Sequence, residues 1–280
     1  MKITSIYYSK FNVIGIILDD KIKMRKYYLP LFMLFLIQIN AFSEELVPVN
    51  YILTNEFNQY TGIMNIKNRN GKISQCTATY ISSNVAITAK HCIEDVDVSS
   101  LPNNKSYLKR AQIKPGKFED VAAITYFTAI GKKDIALITL YPPLETTGLE
   151  FPKIIPMTQK KLNAKKIIIS GYPGDKNEQL FTGQGNIFNF RNDFYQIIRH
   201  DVPTSPGVSG AAIRELYNDF DIVSIHTNRN NWGKHGYLFS EQDIEIISNF
   251  IYNEEISPIK NFSHIDFPTN YIKGQQSQND

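Results

Sequence analysis

The sequence predicts an all-β protein, built as barrels or sandwiches, that carries one helix near its C-terminal end. Short apolar and β-branched runs separated by turn residues recur along most of the chain, and helical spacing of apolar residues is nearly absent before residue 240. With 280 residues, 42% of them hydrophobic, the chain can form one large core or two smaller ones. The predicted strands lie at 77–81, 85–89, 121–127, 135–140, 166–170, 186–190, 194–198 and 222–226.

The predicted helix follows Ser240. A serine side chain can accept hydrogen bonds from the unpaired N–H groups of a first helical turn, and Glu241 and Asp243 place negative charge at its positive end. Apolar residues then recur three and four positions apart up to residue 251. Residues 253–280 are a mostly polar extension, and the composition of 274–280 is typical of disorder.

Residues 1–43 have the pattern of an export signal. Arg25 and Lys26 precede an apolar run at 29–39, and small residues at 41 and 43 suit a signal peptidase. The run is too short for a permanent membrane anchor, so we expect a secreted or periplasmic protein. Translation could begin at Met24, or the whole segment could be a signal peptide with a long basic start. A short propeptide could follow from residue 44.

Removal of this segment changes the charge of the chain. The sequence holds 30 basic and 27 acidic residues, and cleavage after Ser43 leaves 24 basic and 25 acidic ones. A nearly neutral chain lacks the excess of basic residues that nucleic-acid binding requires. We therefore expect no nucleic-acid partner.

Two motifs suggest nucleophilic catalysis. Thr-Ala-Lys-His-Cys at 88–92 places His91 at the end of a predicted strand, and Gly-Val-Ser-Gly at 207–210 holds Ser209 on a tight turn. Histidine can take the proton of a serine hydroxyl. The turn lets the N–H groups of Gly207 and Ser209 point at one spot, as an oxyanion hole requires.

Asp134 is the candidate acid of the same group. It opens the apolar run Ile-Ala-Leu, a run that follows neither Asp95 nor Asp120. A carboxylate in this role holds the imidazole in one tautomer and stabilises the imidazolium. The predicted catalytic residues are thus His91, Asp134 and Ser209, and we expect Gly210 to lack a side chain to leave room for substrate.

These motifs, in the order His, Asp, Ser, resemble the trypsin-like serine protease superfamily. Three further segments, at 168–176, 204–210 and 223–226, most resemble the bacterial glutamyl endopeptidases of the staphylococcal type. The resemblance covers roughly residues 50–250. It implies a chymotrypsin-like fold of two six-stranded Greek-key β-barrels with a C-terminal helix, and a serine endopeptidase that works through an acyl-enzyme.

The resemblance also implies how the chain is divided. Residues 44–150 would form the N-terminal barrel, with His91 and Asp134, and residues 151–252 the C-terminal barrel and helix, with Ser209. The prolines at 142 and 143 begin a plausible crossover. The site would lie in the cleft between the barrels.

The two cysteines, Cys76 and Cys92, favour a disulfide in an exported protein, and two buried thiols are the alternative. The resemblance implies the bridge, because trypsin-like proteases pin their histidine loop in this way. Two cysteines and five scattered histidines show no metal-ligand spacing. We expect no metal and no cofactor.

The resemblance places Thr204 and His226 against a glutamate side chain of the substrate. A hydroxyl and an imidazole can both donate hydrogen bonds to a carboxylate. Two alternatives stay open: His226 could be a core histidine, and Arg229 could bind the acidic group instead. His200, His235 and His264 lie in no motif, and we expect them at the surface or in loops.

Val208 departs from the digestive proteases, which carry an aspartate there that pairs with a new amino terminus. Valine forms no ion pair, so that activation mechanism is excluded. Ala211 and Ala212 depart from the family's pattern beside the site. Three functions remain open: an endopeptidase that prefers acidic P1 residues, a protease narrowly specific for one host protein, and an inactive homologue that binds proteins. We expect a monomer whose partners are protein or peptide substrates.

Overall fold

The computed structural model describes residues 47–48, 56–96, 101, 106–111, 118–144, 150–156, 166–191, 196–216, 221–227 and 234–256. The predicted leader, Arg229, His264 and the extension beyond 256 lie outside these residues. Within the described ranges, no helix has the length and the apolar character that a membrane span needs.

In the described residues the chain forms thirteen strands and, after the last of them, an α-helix. In chain order they are β1 (Val47–Pro48), β2 (Thr61–Lys67), β3 (Ile73–Tyr80), β4 (Val85–Thr88), β5 (Tyr107–Ala111), β6 (Phe118–Ala129), β7 (Ala136–Tyr141), β8 (Lys166–Gly171), β9 (Phe181–Arg191), β10 (Ile197–His200), β11 (Ala212–Glu215), β12 (Ile222–Thr227), β13 (His235–Leu238) and α1 (Glu241–Ile256).

The N-terminal barrel closes in the order β2-β3-β4-β7-β6-β5, and all its pairings are antiparallel. Register shifts in β5, after Lys109, and in β6, after Ile124, let these strands bend around the barrel. Its interior is filled by apolar side chains that are fully buried, among them Met64, Ala78, Leu108, Ile138 and Leu140.

The C-terminal barrel follows the order β9-β10-β13-β12-β11-β8, and the pairing of β9 with β8 closes it. Buried apolar side chains such as Ile167, Ile169, Ile198, Val223 and Leu238 fill its interior. Two six-stranded antiparallel barrels and a C-terminal helix confirm the predicted chymotrypsin-like fold.

Strand β1 is not among the strands that the sequence predicts. It lies in the range expected for the N-terminal barrel, yet Val47 and Pro48 pair with Thr182 and Phe181 of the C-terminal barrel. Strand β10 pairs only with the later part of β9, from Ile187 onward, so the start of β9 keeps an open edge. Strand β1 supplies the hydrogen-bonding partner for that edge.

Helix α1 confirms the predicted C-terminal helix and runs on to Ile256, past the expected end at residue 252. Ser240 caps it: the Asp243 N–H donates to Ser240 Oγ at 3.2 Å, and the Ser240 N–H donates to Asp243 Oδ2 at 2.6 Å. Lys133, next to Asp134 in the chain, pairs with the same carboxylate. The helix is thereby tied to the loop before β7.

A third apolar cluster lies between the two barrels and the helix. The buried Ile87 and Leu137 of the N-terminal barrel pack there with Ile225 and Phe239 of the C-terminal half and with Ile247 of α1. This packing holds the barrels together beside the ends of β4 and β7, where the predicted catalytic histidine and acid lie.

Candidate active site

His91 and Asp134 come together because β4 and β7 are neighbours. Thr88 pairs with Ala136 at the end of the ladder, so the residues just after β4 and just before β7 lie side by side. His91 sits in a short 3₁₀ turn, Lys90–Cys92, that follows β4. Its Nδ1 lies 2.8 Å from Asp134 Oδ2, and its main-chain N–H donates to Asp134 Oδ1 at 2.8 Å.

This geometry sets the tautomer of His91. An ionised carboxylate only accepts hydrogen bonds, so the proton of the neutral ring is on Nδ1. The lone pair is then on Nε2, which can act as a base. The imidazole is half-buried and the side chain of Asp134 is 11% exposed, so the pair is largely shielded from water.

Cys76 of β3 and Cys92 form a disulfide, with Cα atoms 6.3 Å apart, which confirms the predicted bridge. One ring nitrogen of His91 lies within 4.8 Å of both sulfurs. The three side chains have the spacing of a metal site, but the sulfurs are bonded to each other and offer no thiolate. The bridge instead fixes the histidine turn to β3.

Ser209 is brought to this turn from the C-terminal barrel. Its carbonyl oxygen accepts a hydrogen bond from the Thr77 N–H of β3 at 2.8 Å, and Cys92 Sγ lies 3.9 Å from the same oxygen. The N–H of the following Gly210 donates to the His226 carbonyl at 2.8 Å. The serine turn is therefore held between the histidine turn and strand β12.

The serine turn leaves two N–H groups without an acceptor. Pro206 has no N–H, the Val208 N–H donates to the Ser205 carbonyl at 3.1 Å, and the Gly210 N–H is also bonded. In the part of the chain that the structure describes, the N–H groups of Gly207 and Ser209 have no hydrogen-bond partner. They are the two donors that the sequence predicts for an oxyanion hole.

Both glycines of the turn have positive φ, 98° at Gly207 and 90° at Gly210, a region that favours glycine. A Cβ at Gly210 would lie 2.1 Å from the Thr77 carbonyl oxygen and 2.2 Å from Thr88 Oγ1. This contact is a reason for the glycine that is separate from the expected one, room for substrate. Gly210 lacks a side chain because the turn packs directly on the N-terminal barrel.

Val208 is 1% exposed and belongs to the core of the C-terminal barrel. A Cβ at Gly171 would lie 2.9 Å from Val208 Cγ1, so the valine fills the space next to β8 closely. Val208 therefore makes apolar contacts at the position where digestive proteases have an aspartate in an ion pair.

His226, on β12, is buried among other histidines. Its Nδ1 lies 3.1 Å from Nε2 of His200, and His226, His200 and His235 are each 1% exposed. The prediction that His200 and His235 lie at the surface or in loops is wrong. They lie on β10 and β13, where His200 shares a face of the sheet with His226, and His235, whose register partners are Arg199 and Thr227, is buried on the opposite face.

Burial sets the charge of these rings. Loss of solvation, with smaller effects from His200, His235 and His91, lowers the pKa of His226 well below its usual 6.5. Burial, together with the charge of Lys234, lowers the pKa of His200 to about 3. Both imidazoles are neutral at neutral pH, and one of them donates its single N–H to the other.

Thr204 lies five residues before the serine and is half-buried. Its Oγ1 is buried and has no hydrogen-bond partner among the described residues, and the same holds for Oγ of Ser205 and Oγ1 of Thr227. An unpaired buried hydroxyl costs about 1–3 kcal/mol of desolvation, which an incoming acceptor would recover. The segments of Thr204 and His226 are joined through the Gly210 to His226 hydrogen bond.

The family model for trypsin-like peptidase domains matches residues 76–218 of this chain. No curated protein sequence matches it.

Solved structures share the fold. A Glu endopeptidase in complex with MPD is 22% identical, with a TM-score of 0.53 over 73% of this chain and 95% of that one. Two inactivated protease paralogues of the scabies mite are also similar. Paralogue S-I1 is 16% identical, with a TM-score of 0.55 over 71% of this chain and 98% of its own. Paralogue S-D1 is 8% identical, with a TM-score of 0.58 over 75% and 97%.

Proposed function

Because this chain belongs to the trypsin-like peptidase domain family, we propose that it is an active, exported serine endopeptidase with Ser209 as nucleophile, His91 as base and Asp134 as the acid that orients the base. The observation that carries the proposal is the pair of unpaired N–H groups at Gly207 and Ser209, next to a histidine whose Nδ1 is already engaged. The disulfide supports the exported location, since such bonds form in oxidising compartments.

The proposed reaction begins with attack of Ser209 Oγ on the scissile carbonyl. His91 Nε2 accepts the hydroxyl proton, and the Asp134 carboxylate stabilises the resulting imidazolium. The carbonyl oxygen becomes an oxyanion that accepts hydrogen bonds from the N–H groups of Gly207 and Ser209. Each such donor typically lowers the barrier by roughly 3–4 kcal/mol.

The second stage releases both products. His91 returns the proton to the leaving amine as the C–N bond breaks, which leaves Ser209 acylated. Water then attacks the ester, and the imidazole again takes a proton and returns it to Ser209 Oγ. The bond from Ser209 Oγ to the acyl carbon breaks, and the acyl part of the substrate leaves as a carboxylic acid that carries the oxygen of the water.

We further propose a preference for glutamate at P1. When His226 Nδ1 accepts the hydrogen bond from His200, the neutral His226 ring carries its proton on Nε2 and can donate it to a carboxylate. The unpaired Thr204 hydroxyl can donate as well, and neither group brings a like charge. One of the similar structures is a Glu endopeptidase, which agrees with this choice at the level of the fold. A narrower preference for a single host protein is compatible with the same pocket.

The competing proposal is an inactive homologue that binds proteins through the same cleft. Two of the similar structures are inactivated protease paralogues, so the fold alone does not separate the two. The hydrogen-bonded His91 and Asp134, together with Ser209, favour the enzyme.

A fluorophosphonate probe tests the proposal. It should label the exported wild-type protein and not Ser209→Ala, because only an activated serine attacks the phosphorus. Ser74→Ala is the matched control, since Ser74 is an exposed serine on β3. Unlabelled, folded wild-type protein that still captures a protein ligand would instead support the binding function.

A further inference from the structure

Thr77 joins the serine turn to the N-terminal barrel, and each of its polar groups, the N–H, the hydroxyl and the carbonyl, is hydrogen-bonded. It lies on β3 directly after Cys76 and is fully buried. Its N–H donates to the Ser209 carbonyl at 2.8 Å, and its Oγ1 donates to the Gly207 carbonyl at 2.9 Å. The same Oγ1 accepts from the Tyr172 N–H at 3.0 Å, and its carbonyl accepts from Thr88 Oγ1 at 2.8 Å.

The Gly207 contact bears on an oxyanion donor. A glycine with φ of 98° has no side chain to hold its peptide planes, so neighbouring groups must fix them. The plane before Gly207 is fixed by the Gly174 N–H, which donates to the Pro206 carbonyl at 2.8 Å. The plane after it is fixed by the Thr77 hydroxyl.

The direction of the Gly207 N–H follows from these two bonds. In a trans peptide the C=O and N–H groups point in opposite directions. Since the Pro206 carbonyl points at Gly174, the Gly207 N–H points away from that segment. Thr77 binds both the serine turn and the segment of Gly174. Its hydroxyl donates to the Gly207 carbonyl and accepts from the N–H of Tyr172, two residues before Gly174.

The second donor is held in a related way. The Ser209 N–H and the Val208 carbonyl belong to one peptide plane, and that carbonyl accepts from the Ala211 N–H at 3.0 Å. The carbonyl of the following plane, that of Ser209, accepts from the Thr77 N–H. Every carbonyl from Pro206 to Ser209 is thus hydrogen-bonded, and Thr77 binds two of the four.

We propose that Thr77 is a positioning residue of the oxyanion hole: from the N-terminal barrel, its hydroxyl and N–H orient the two donors that the C-terminal barrel supplies. This inference rests on the proposed serine endopeptidase function. The hydroxyl is matched to the task, since it has one proton for the Gly207 carbonyl and a lone pair for the Tyr172 N–H.

Thr77→Val and Thr77→Ser form the matched pair for the test. Valine keeps the shape of threonine and removes the hydroxyl, whereas serine keeps the hydroxyl. For a peptide substrate, T77V should lower kcat about 10- to 100-fold with little change in KM, since loss of an oxyanion donor costs about 10²–10³ in kcat and misorientation costs less. T77S should stay within about threefold of the wild type.

A peptide aldehyde separates positioning from a general loss of structure. It binds as a tetrahedral adduct whose oxygen occupies the oxyanion hole, so its affinity should fall by the same factor as kcat in T77V. Affinity for the amine product of cleavage, which has no oxygen at that position, should not change. Melting temperature and the Cys76–Cys92 bridge are followed in parallel to show that the variant is folded.

Gly174→Pro and Gly174→Ala give a second route if T77V does not fold. Proline removes the N–H that binds the Pro206 carbonyl, and alanine keeps it; a Cβ at Gly174 would lie 3.5 Å from that oxygen, an ordinary contact. G174P should reproduce the loss of kcat and of aldehyde affinity, and G174A should not.

The outcomes are distinguishable. Wild-type protein that reacts with the fluorophosphonate while T77V keeps its kcat and aldehyde affinity overturns the positioning role alone. If T77V does not fold, wild-type behaviour of G174P shows that the oxyanion donors keep their direction without hydrogen bonds to the carbonyls of the turn, and this overturns a positioning role for such bonds, those of Thr77 included. A folded but inert wild type overturns the proposed function, and the role of Thr77 with it.

Discussion

Asp134 binds His91 twice: its Oδ2 lies 2.8 Å from the ring Nδ1, and its Oδ1 accepts from the main-chain N–H at 2.8 Å. One carboxylate therefore fixes both the ring and the turn that carries it. Neither a rotation of the imidazole nor a shift of the 3₁₀ turn is possible without breaking one of the two bonds. The pairing of β4 with β7 places Asp134 beside His91. The apolar run that follows Asp134 forms β7.

Asp134→Asn should lower kcat by about 10⁴-fold, the size of effect known for a triad aspartate, because an amide NH₂ facing Nδ1 favours the tautomer with its proton on Nε2. KM for a peptide substrate should change little. Asp95→Asn is the control, since Asp95 is an exposed acid near the same turn. Steady-state kinetics that showed a larger loss for D95N would move the acid to that position.

Replacing Cys76 and Cys92 with serine should lower the free energy of unfolding by roughly 3 kcal/mol, because the bridge closes a loop over a separation of 16 residues. Urea unfolding of the wild type with and without reductant provides the comparison. The double variant should match the reduced wild type and be insensitive to reductant. Equal stability of all four samples would contradict a stabilising bridge.

Cleavage should favour Glu over Gln at P1 by tens-fold or more, because a desolvated carboxylate gains charge-assisted hydrogen bonds worth roughly 1.5–3 kcal/mol each and an amide gains less. Thr204→Val and His226→Ala should each erase much of the preference, whereas Thr204→Ser should keep it. Profiling of a P1 peptide library measures this. Loss of the preference in Arg229→Ala alone would assign the pocket to Arg229.

Stability should fall on acidification because of His200 and His226. Their pKa values in the folded protein lie below the ordinary 6.5, that of His200 at about 3, so the unfolded chain binds more protons between these values. The free energy of unfolding therefore rises with pH in this window, and the stability present above pH 6.5 is lost as the pH falls toward 3. Each histidine contributes at most about 1.4 kcal/mol per pH unit.

Urea unfolding at a series of pH values between 7 and 4 measures this slope. His200→Gln removes one titrating ring from the buried group and should flatten the dependence. Surface acids contribute to acid unfolding in both proteins equally, so the difference between the two curves isolates His200. Parallel curves would show that its ring does not titrate with unfolding.

Much of the site could be predicted from local sequence. The tight turn around Ser209 and the strand that ends before His91 are short-range patterns, and the apolar run after Asp134 marks the start of a strand. The two cysteines and the cap of α1 are of the same kind, and the structure confirms the bridge and the helix. Such features depend on residues that are neighbours in the chain.

Other features depend on residues far apart in the chain, and the sequence predicted them poorly. His200 and His235 looked like isolated loop residues because nothing next to them in the chain marks burial. They become core residues only when β10, β13 and β12 are neighbours. Strand β1 is likewise absent from the predicted strands, because the open edge that it covers belongs to β9, far along the chain.

The sequence by itself determined which residue types are available for chemistry, the order in which they occur and the strands that present them. Only the tertiary structure decided that Thr77 binds the carbonyls of Gly207 and Ser209, that Gly210 must pack against Thr77 and Thr88, and which N–H groups stay unpaired. The physical reason is that nearly every residue type has the same backbone N–H and carbonyl, so the sequence does not indicate which partner each of them binds. Barrel closure and register select their partners, and a shift of one residue would exchange the inner and outer faces of a strand.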